Sequence, residues 1–298
     1  MDKISRRGFL QGVAAAPLLL AQQSARAIPP IGRSRPSHMK LSLAAYSYRD
    51  FLKSNPPKMD LFDFVNLSAD MRLDGVELTS YYFPVDVKPA YLHKLKQHAF
   101  NLGLDISGTS VGNNFCLPDG PEREKQLALV RTWVDNAAEL DAPVIRIFAG
   151  TIPKGDTEDN AVARAIAGIK ASLPYAIEKG VTLALENHGG ITLTPAQILK
   201  LVKGVDSPNF GVNLDTGNFR GVDPYAELAE LAPYAVNVQV KTEITRKGKQ
   251  KEEADLSKVV GILRDAHYSG YVVLEYEAAE DPIVAIPRHL KSLRALIS

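Results

Sequence analysis

From Lys40 onward the chain repeats one unit: a short apolar run, a polar loop, a stretch with apolar residues at helical spacing, and a Gly or Pro stop. The apolar runs fall at 41–46, 75–79, 104–108, 143–148, 181–185, 210–214, 235–240 and 271–275. Such runs suit strands buried on both faces. The helical stretches fall at 61–72, 91–102, 121–140, 159–179, 195–203 and 224–232, then from about Asp255, and at 283–297. Pro174 is expected to bend or split its helix, and Thr194 to cap the one that Pro195 begins. A charged loop is expected at 245–253. Eight strand–helix units with no break in composition predict a single-domain (β/α)8 barrel of the α/β class. The competing fold is a doubly wound open sheet. It would place Gly-x-Gly-x-x-Gly after the first strand, where this chain has Tyr46-Ser47-Tyr48-Arg49.

The residues ahead of the first strand read differently. Ser5-Arg6-Arg7-Gly8-Phe9-Leu10 resembles a twin-arginine export signal, followed by an apolar segment at 13–21 and a small-x-small site, Ala25-Arg26-Ala27. The organisation expected is a signal peptide at 1–27, a linker at 28–39 and the barrel at 40–298. Export by that route would make the protein periplasmic or otherwise extracytoplasmic. The apolar segment is too short and interrupted to serve as a permanent membrane anchor. Lys+Arg 35 against Asp+Glu 34 leaves a formal charge of +1, which gives nucleic acid nothing to bind. Cys116 is the one cysteine, so no intrachain disulfide or cysteine metal site can form, and a buried free thiol is expected. Association into a homo-oligomer stays open.

In a barrel of this kind the C-terminal strand ends share one mouth, where the chemistry sits. The late strands deliver Glu186, Asp215, Gln239 and Glu275 to it. By alternation His188, Lys241 and Glu277 point the same way two residues on, and Asn213 and Asn237 two residues back. Three carboxylates at one mouth repel unless one takes up a proton or a cation neutralises them. Three carboxylates and an amide oxygen form a hard donor set suited to one Mn²⁺ or Mg²⁺ ion rather than structural Zn²⁺. Arg146, inward on strand four, requires an acid partner, either Glu77 on strand two or an anion of the substrate. Tyr46, Tyr48, Asn113, Asn114 and Phe115 lie in early loops that could form a sugar-facing wall.

On these residues the chain resembles the xylose-isomerase-like TIM barrels, the sugar phosphate isomerase/epimerase group, over about 40–298. The resemblance implies a divalent metal held by Glu186 in Leu-Glu-Asn-His, Asp215 in Asn-Leu-Asp-Thr-Gly-Asn and Glu275 in Val-Leu-Glu-Tyr-Glu. Where many relatives read His-x-Lys-Asp, this chain has Gln239-Val240-Lys241-Thr242, and Asn218 stands where epimerases often carry a substrate-binding His. The implied reaction is proton abstraction beside a carbonyl through an enediolate, with Glu186 and Glu275 as the acid–base pair. His188, Lys241, Asn218, Arg146, Tyr46 and Asn114 are the candidate substrate contacts, and a small carbohydrate is the expected ligand. Export favours a free or keto sugar over a phosphorylated one. Two other readings stand beside it: a lyase releasing the aglycone of a 3-keto-glycoside by β-elimination, and a sugar-binding barrel without turnover.

Overall fold

A computed structural model describes residues 29–298. The export signal lies outside the described residues. The eight runs form eight parallel strands: β1 Met39–Ala44, β2 Gly75–Thr79, β3 Asp105–Ser110, β4 Val144–Ile147, β5 Thr182–Glu186, β6 Phe210–Asp215, β7 Ala235–Val240 and the last, β8, Gly270–Leu274. They close into a barrel, with β1 hydrogen-bonded to both β2 and the last strand. Eight helices cover it: α1 Leu61–Asp70, α2 Pro89–Asn101, α3 Pro121–Glu139, α4 Glu158–Glu178, α5 Pro195–Val205, α6 Pro224–Leu231, α7 Leu256–Asp265 and α8 Pro282–Ile297.

Local chemistry explains the boundaries. Asp60 and Thr194 each open a helix with a reciprocal capping box, through Asp63 and Gln197. Asp223, Asp255 and Asp281 accept from the first-turn N–H groups of α6, α7 and α8. Pro174 does not split α4, which runs helical on both sides of it. The charged loop expected at 245–253 is in part a two-stranded hairpin, Glu243–Thr245 against Lys251–Glu253. Packing of α4 on the β3 loop requires Gly168, because a Cβ there would lie 2.7 Å from Phe115 Cδ1. The segment before β1 runs along the barrel's underside, where Ile31 N–H donates to the Pro233 carbonyl and Arg33 lies over the Tyr268 ring. Among the described residues no helix is long and apolar enough to cross a membrane.

The barrel interior is not uniformly apolar. Just below the mouth, Glu77, Asn213, Asn237 and Gln239 form a closed ring of hydrogen bonds. Gln239 Nε2 donates to Glu77 Oε1 at 2.6 Å, and Asn213 Nδ2 to Gln239 Oε1 at 2.7 Å. Asn237 Nδ2 donates to Asn213 Oδ1 at 2.8 Å and to Glu77 Oε2 at 3.0 Å. The strand register shifts at Val76/Glu77 and at Val212/Asn213, next to two members of the ring. A buried polar layer is stable only when its members satisfy one another, and these do.

Candidate active site

Above the ring, a pocket of about 240 Å³ opens at the C-terminal mouth. Glu186, Lys241, Glu275 and Glu277 line it, with Arg146, His188, Asn218 and Tyr46. The structure thus brings together most of the residues singled out by strand alternation. Tyr81 and Phe148 line it too. Phe148 could have been found, since it stands two residues beyond the inward Arg146. Tyr81 sits in a 3₁₀ turn after β2, where no periodicity applies.

Two ion clusters organise the floor. Arg146 Nε lies 2.8 Å from Glu186 Oε2, both side chains being about 5% exposed. The partner of Arg146 is therefore Glu186, on the adjacent strand β5, rather than Glu77 on β2. The guanidinium also donates to the Val111 carbonyl at 2.9 Å and lies over the Phe148 ring at 4.0 Å. Asn218 Nδ2 holds the other Glu186 oxygen at 3.0 Å. In the second cluster Lys241 Nζ stands 3.3 Å from Asp215, 3.1 Å from Glu275 and 3.1 Å from Glu277. Gly217 makes room for the lysine stem, since a Cβ there would fall 2.6 Å from Lys241 Cγ. Asn187, absent from the sequence-derived set, clamps the Asp215 backbone: its side chain accepts from the Asp215 N–H and donates to its carbonyl, both at 2.8 Å.

Electrostatics follow from burial. Burial pushes the Glu186 carboxyl well above the usual range, with Arg146 opposing and Asp215 and Glu275 adding to the rise. Burial likewise raises Asp215 and Glu77 to about 7 each. Burial works against the Lys241 charge, and Asp215, Glu275 and Glu277 outweigh it, so the ammonium is held firmly. His188 is lowered by burial and by Arg146, so it is neutral at pH 7. Its ring packs on Phe148 with centroids 4.5 Å apart.

The donors fit a hard cation in kind. Glu186, Asp215 and Glu275 offer carboxylate oxygens, and Asp215 Oδ2 is buried with no hydrogen-bond donor. Gln239 is otherwise engaged, its oxygen accepting from Asn213 within the ring. Among the described residues no three acidic, His or Cys side chains form a ready cage. The Lys241 ammonium occupies the space between two of the carboxylates.

Of the proposed sugar-facing wall, Tyr46 lies at the pocket, with Lys241 Nζ 6.0 Å from its ring. Tyr48 and Phe115 are buried in the hydrophobic core instead, Tyr48 against Phe64 and Phe115 beneath α4. Asn113 pins the Phe148 backbone, and Asn114 lines a neighbouring compartment. Cys116 is a buried free thiol, pushed up to about 11 by burial.

Residues 65–296 match the family described as xylose isomerase-like TIM barrel. An uncharacterised protein of Methanocaldococcus jannaschii is 29% identical over 174 residues, 54% of this chain and 58% of that protein. The 3-oxo-isoapionate decarboxylase of Pectobacterium atrosepticum is 25% identical over 206 residues, 68% of each chain. The crystal structure of 3-keto-D-glucoside 4-epimerase from E. coli superposes with a TM-score of 0.68 at 17% identity, covering 87% of this chain and 99% of that one, a likeness of fold. With its closed barrel and a family match over most of the described residues, the chain belongs to the xylose isomerase-like TIM barrel family.

Proposed function

We propose that the protein is a sugar-modifying enzyme, an isomerase or epimerase that removes a proton next to the carbonyl of a free or keto sugar. The observation that carries this reading is the pairing of Glu186 and Glu275 in one pocket beside fixed cationic donors. A carboxylate takes the proton, and the negative charge that develops on the substrate oxygen is met by the Lys241 ammonium and the neutral His188 ring. Arg146 and Asn218 fix both oxygens of Glu186, so that carboxyl is oriented before substrate arrives. A 3-oxo or 3-keto compound stands in the names of the 3-oxo-isoapionate decarboxylase and of the structurally similar 3-keto-D-glucoside 4-epimerase. That supports a keto sugar as substrate. Glu186, Asp215 and Glu275 would hold one Mn²⁺ or Mg²⁺ ion, in competition with Lys241, and the ion would polarise the substrate carbonyl as a Lewis acid.

The test is incubation of the Mn²⁺-supplemented protein with D-fructose and with a 3-keto-glucoside in D₂O. Deuterium is expected at the carbon beside the carbonyl, together with an isomer or epimer. Asp215→Ala is expected to abolish Mn²⁺ binding in a calorimetric titration and the exchange with it. Absence of exchange with both sugars would sink the reading. Release of the aglycone instead of an isomer would favour the β-elimination alternative. There the base takes the C2 proton, its electron pair becomes the C1=C2 double bond, and the aglycone oxygen leaves C1 and is protonated.

Export by the twin-arginine route is part of the same proposal, since it brings the enzyme to unphosphorylated sugars. Replacing Arg6 and Arg7 by Lys is expected to retain the protein in the cytoplasm on cell fractionation. Undiminished export of that variant would remove this element.

A further inference from the structure

The reaction pocket has a neighbour. Sharing the Phe148 and His188 rings with it lies a compartment of about 220 Å³, bounded by the loops that follow β3, β4 and β5. Neither cavity alone reaches the roughly 300 Å³ at which small-ligand sites begin, and the two joined do. Phe148 and His188 belong to both linings, so the two cavities adjoin.

Most polar side-chain atoms around this compartment are already committed, the His188 ring and the exposed Thr151 hydroxyl being the exceptions. Asn113 donates to the Phe148 carbonyl at 2.8 Å and accepts from the Phe148 N–H at 3.0 Å. The Thr192 hydroxyl donates to the Gly189 carbonyl at 2.9 Å and accepts from the His188 N–H at 3.0 Å. Asn114 Oδ1 accepts from the Cys116 N–H at 3.0 Å. A sugar, which needs a partner for nearly every hydroxyl, would be poorly served here. An apolar group loses nothing and gains burial. The loop is held open by Gly150, at φ +111°, where any Cβ would run into Asn114 Oδ1.

We propose that this compartment binds the aromatic aglycone of a glycoside whose sugar ring occupies the reaction pocket. The substrate class is thereby narrowed from a bare sugar to an aryl glycoside. The proposal rests on the reading of the mouth as a sugar site. Flat rings suit a cavity whose shared wall is itself a pair of rings in tilted contact.

The test compares phenyl 3-keto-β-D-glucoside with methyl 3-keto-β-D-glucoside by calorimetric titration of the whole protein. The phenyl glycoside is expected to bind at least about tenfold tighter. Thr151 stands exposed at the rim and takes no part in the reaction pocket, so Thr151→Trp should fill the compartment and remove the phenyl preference. Free phenol should compete with the phenyl glycoside in the wild type, a readout that needs no variant. Equal binding of the two glycosides, or a phenyl preference that survives Thr151→Trp, would overturn the assignment. Ratio and exchange are independent. Isotope exchange without phenyl preference refutes the compartment alone, whereas phenyl preference without exchange supports the compartment and refutes the reaction.

Discussion

Arg146→Met is expected to lower the free energy of unfolding by about 3–5 kcal/mol, because it strands a buried carboxylate. Glu186 is 4% exposed and Arg146 5% exposed, so water cannot replace the lost guanidinium. The Val111 carbonyl loses its donor in the same step, and Phe148 loses the cation over its face. Urea titration should show the midpoint falling with the slope preserved. Adding Glu186→Gln to the variant should recover much of the loss, since a neutral amide is cheaper to bury than an unpaired charge. A midpoint unchanged in Arg146→Met would mean that the pair does not hold the mouth together.

Glu275→Gln should do the opposite, leaving the fold stable and stopping the chemistry. Lys241 keeps Asp215 and Glu277 as partners when the Glu275 charge is removed, so no buried cation is left unpaired. Losing the proton acceptor should cost about 10²–10⁴-fold in the rate of deuterium incorporation. The urea midpoint should move little. A variant that exchanges at the wild-type rate would remove Glu275 from the acid–base pair.

Much of this architecture was legible in the sequence, and the reasons differ by element. Strand parity carried Glu186, Lys241, Glu275 and Glu277 to one mouth, because alternation is a property of the strand itself. The cap at Thr194 was legible for the same local reason. Partner choice was not. For Arg146 the sequence offered Glu77 or a substrate anion, and the partner it meets is Glu186, which the pairing and stagger of β4 and β5 bring beside it. Gln239 is read as a metal ligand because its position matches the strand tips. What the sequence did not show is that its oxygen accepts from Asn213, next to the irregular register between β6 and β7. The loop residues Tyr48 and Phe115 carried no periodic signal, and both turned into the core.

The ring of Glu77, Asn213, Asn237 and Gln239 has a bearing on how such a site can change over time. Glu77, when ionised, only accepts, and that sets the direction of every other bond in the circuit. Reversing one amide would leave two donors or two acceptors face to face unless its neighbours reversed as well. Gln239→Glu would oppose two carboxylates, and Asn237→Asp would do the same, so either becomes tolerable only alongside Glu77→Gln. A history built from single substitutions is therefore channelled around these four positions. The loops above the ring are free to vary one residue at a time, and a new substrate is most readily acquired there.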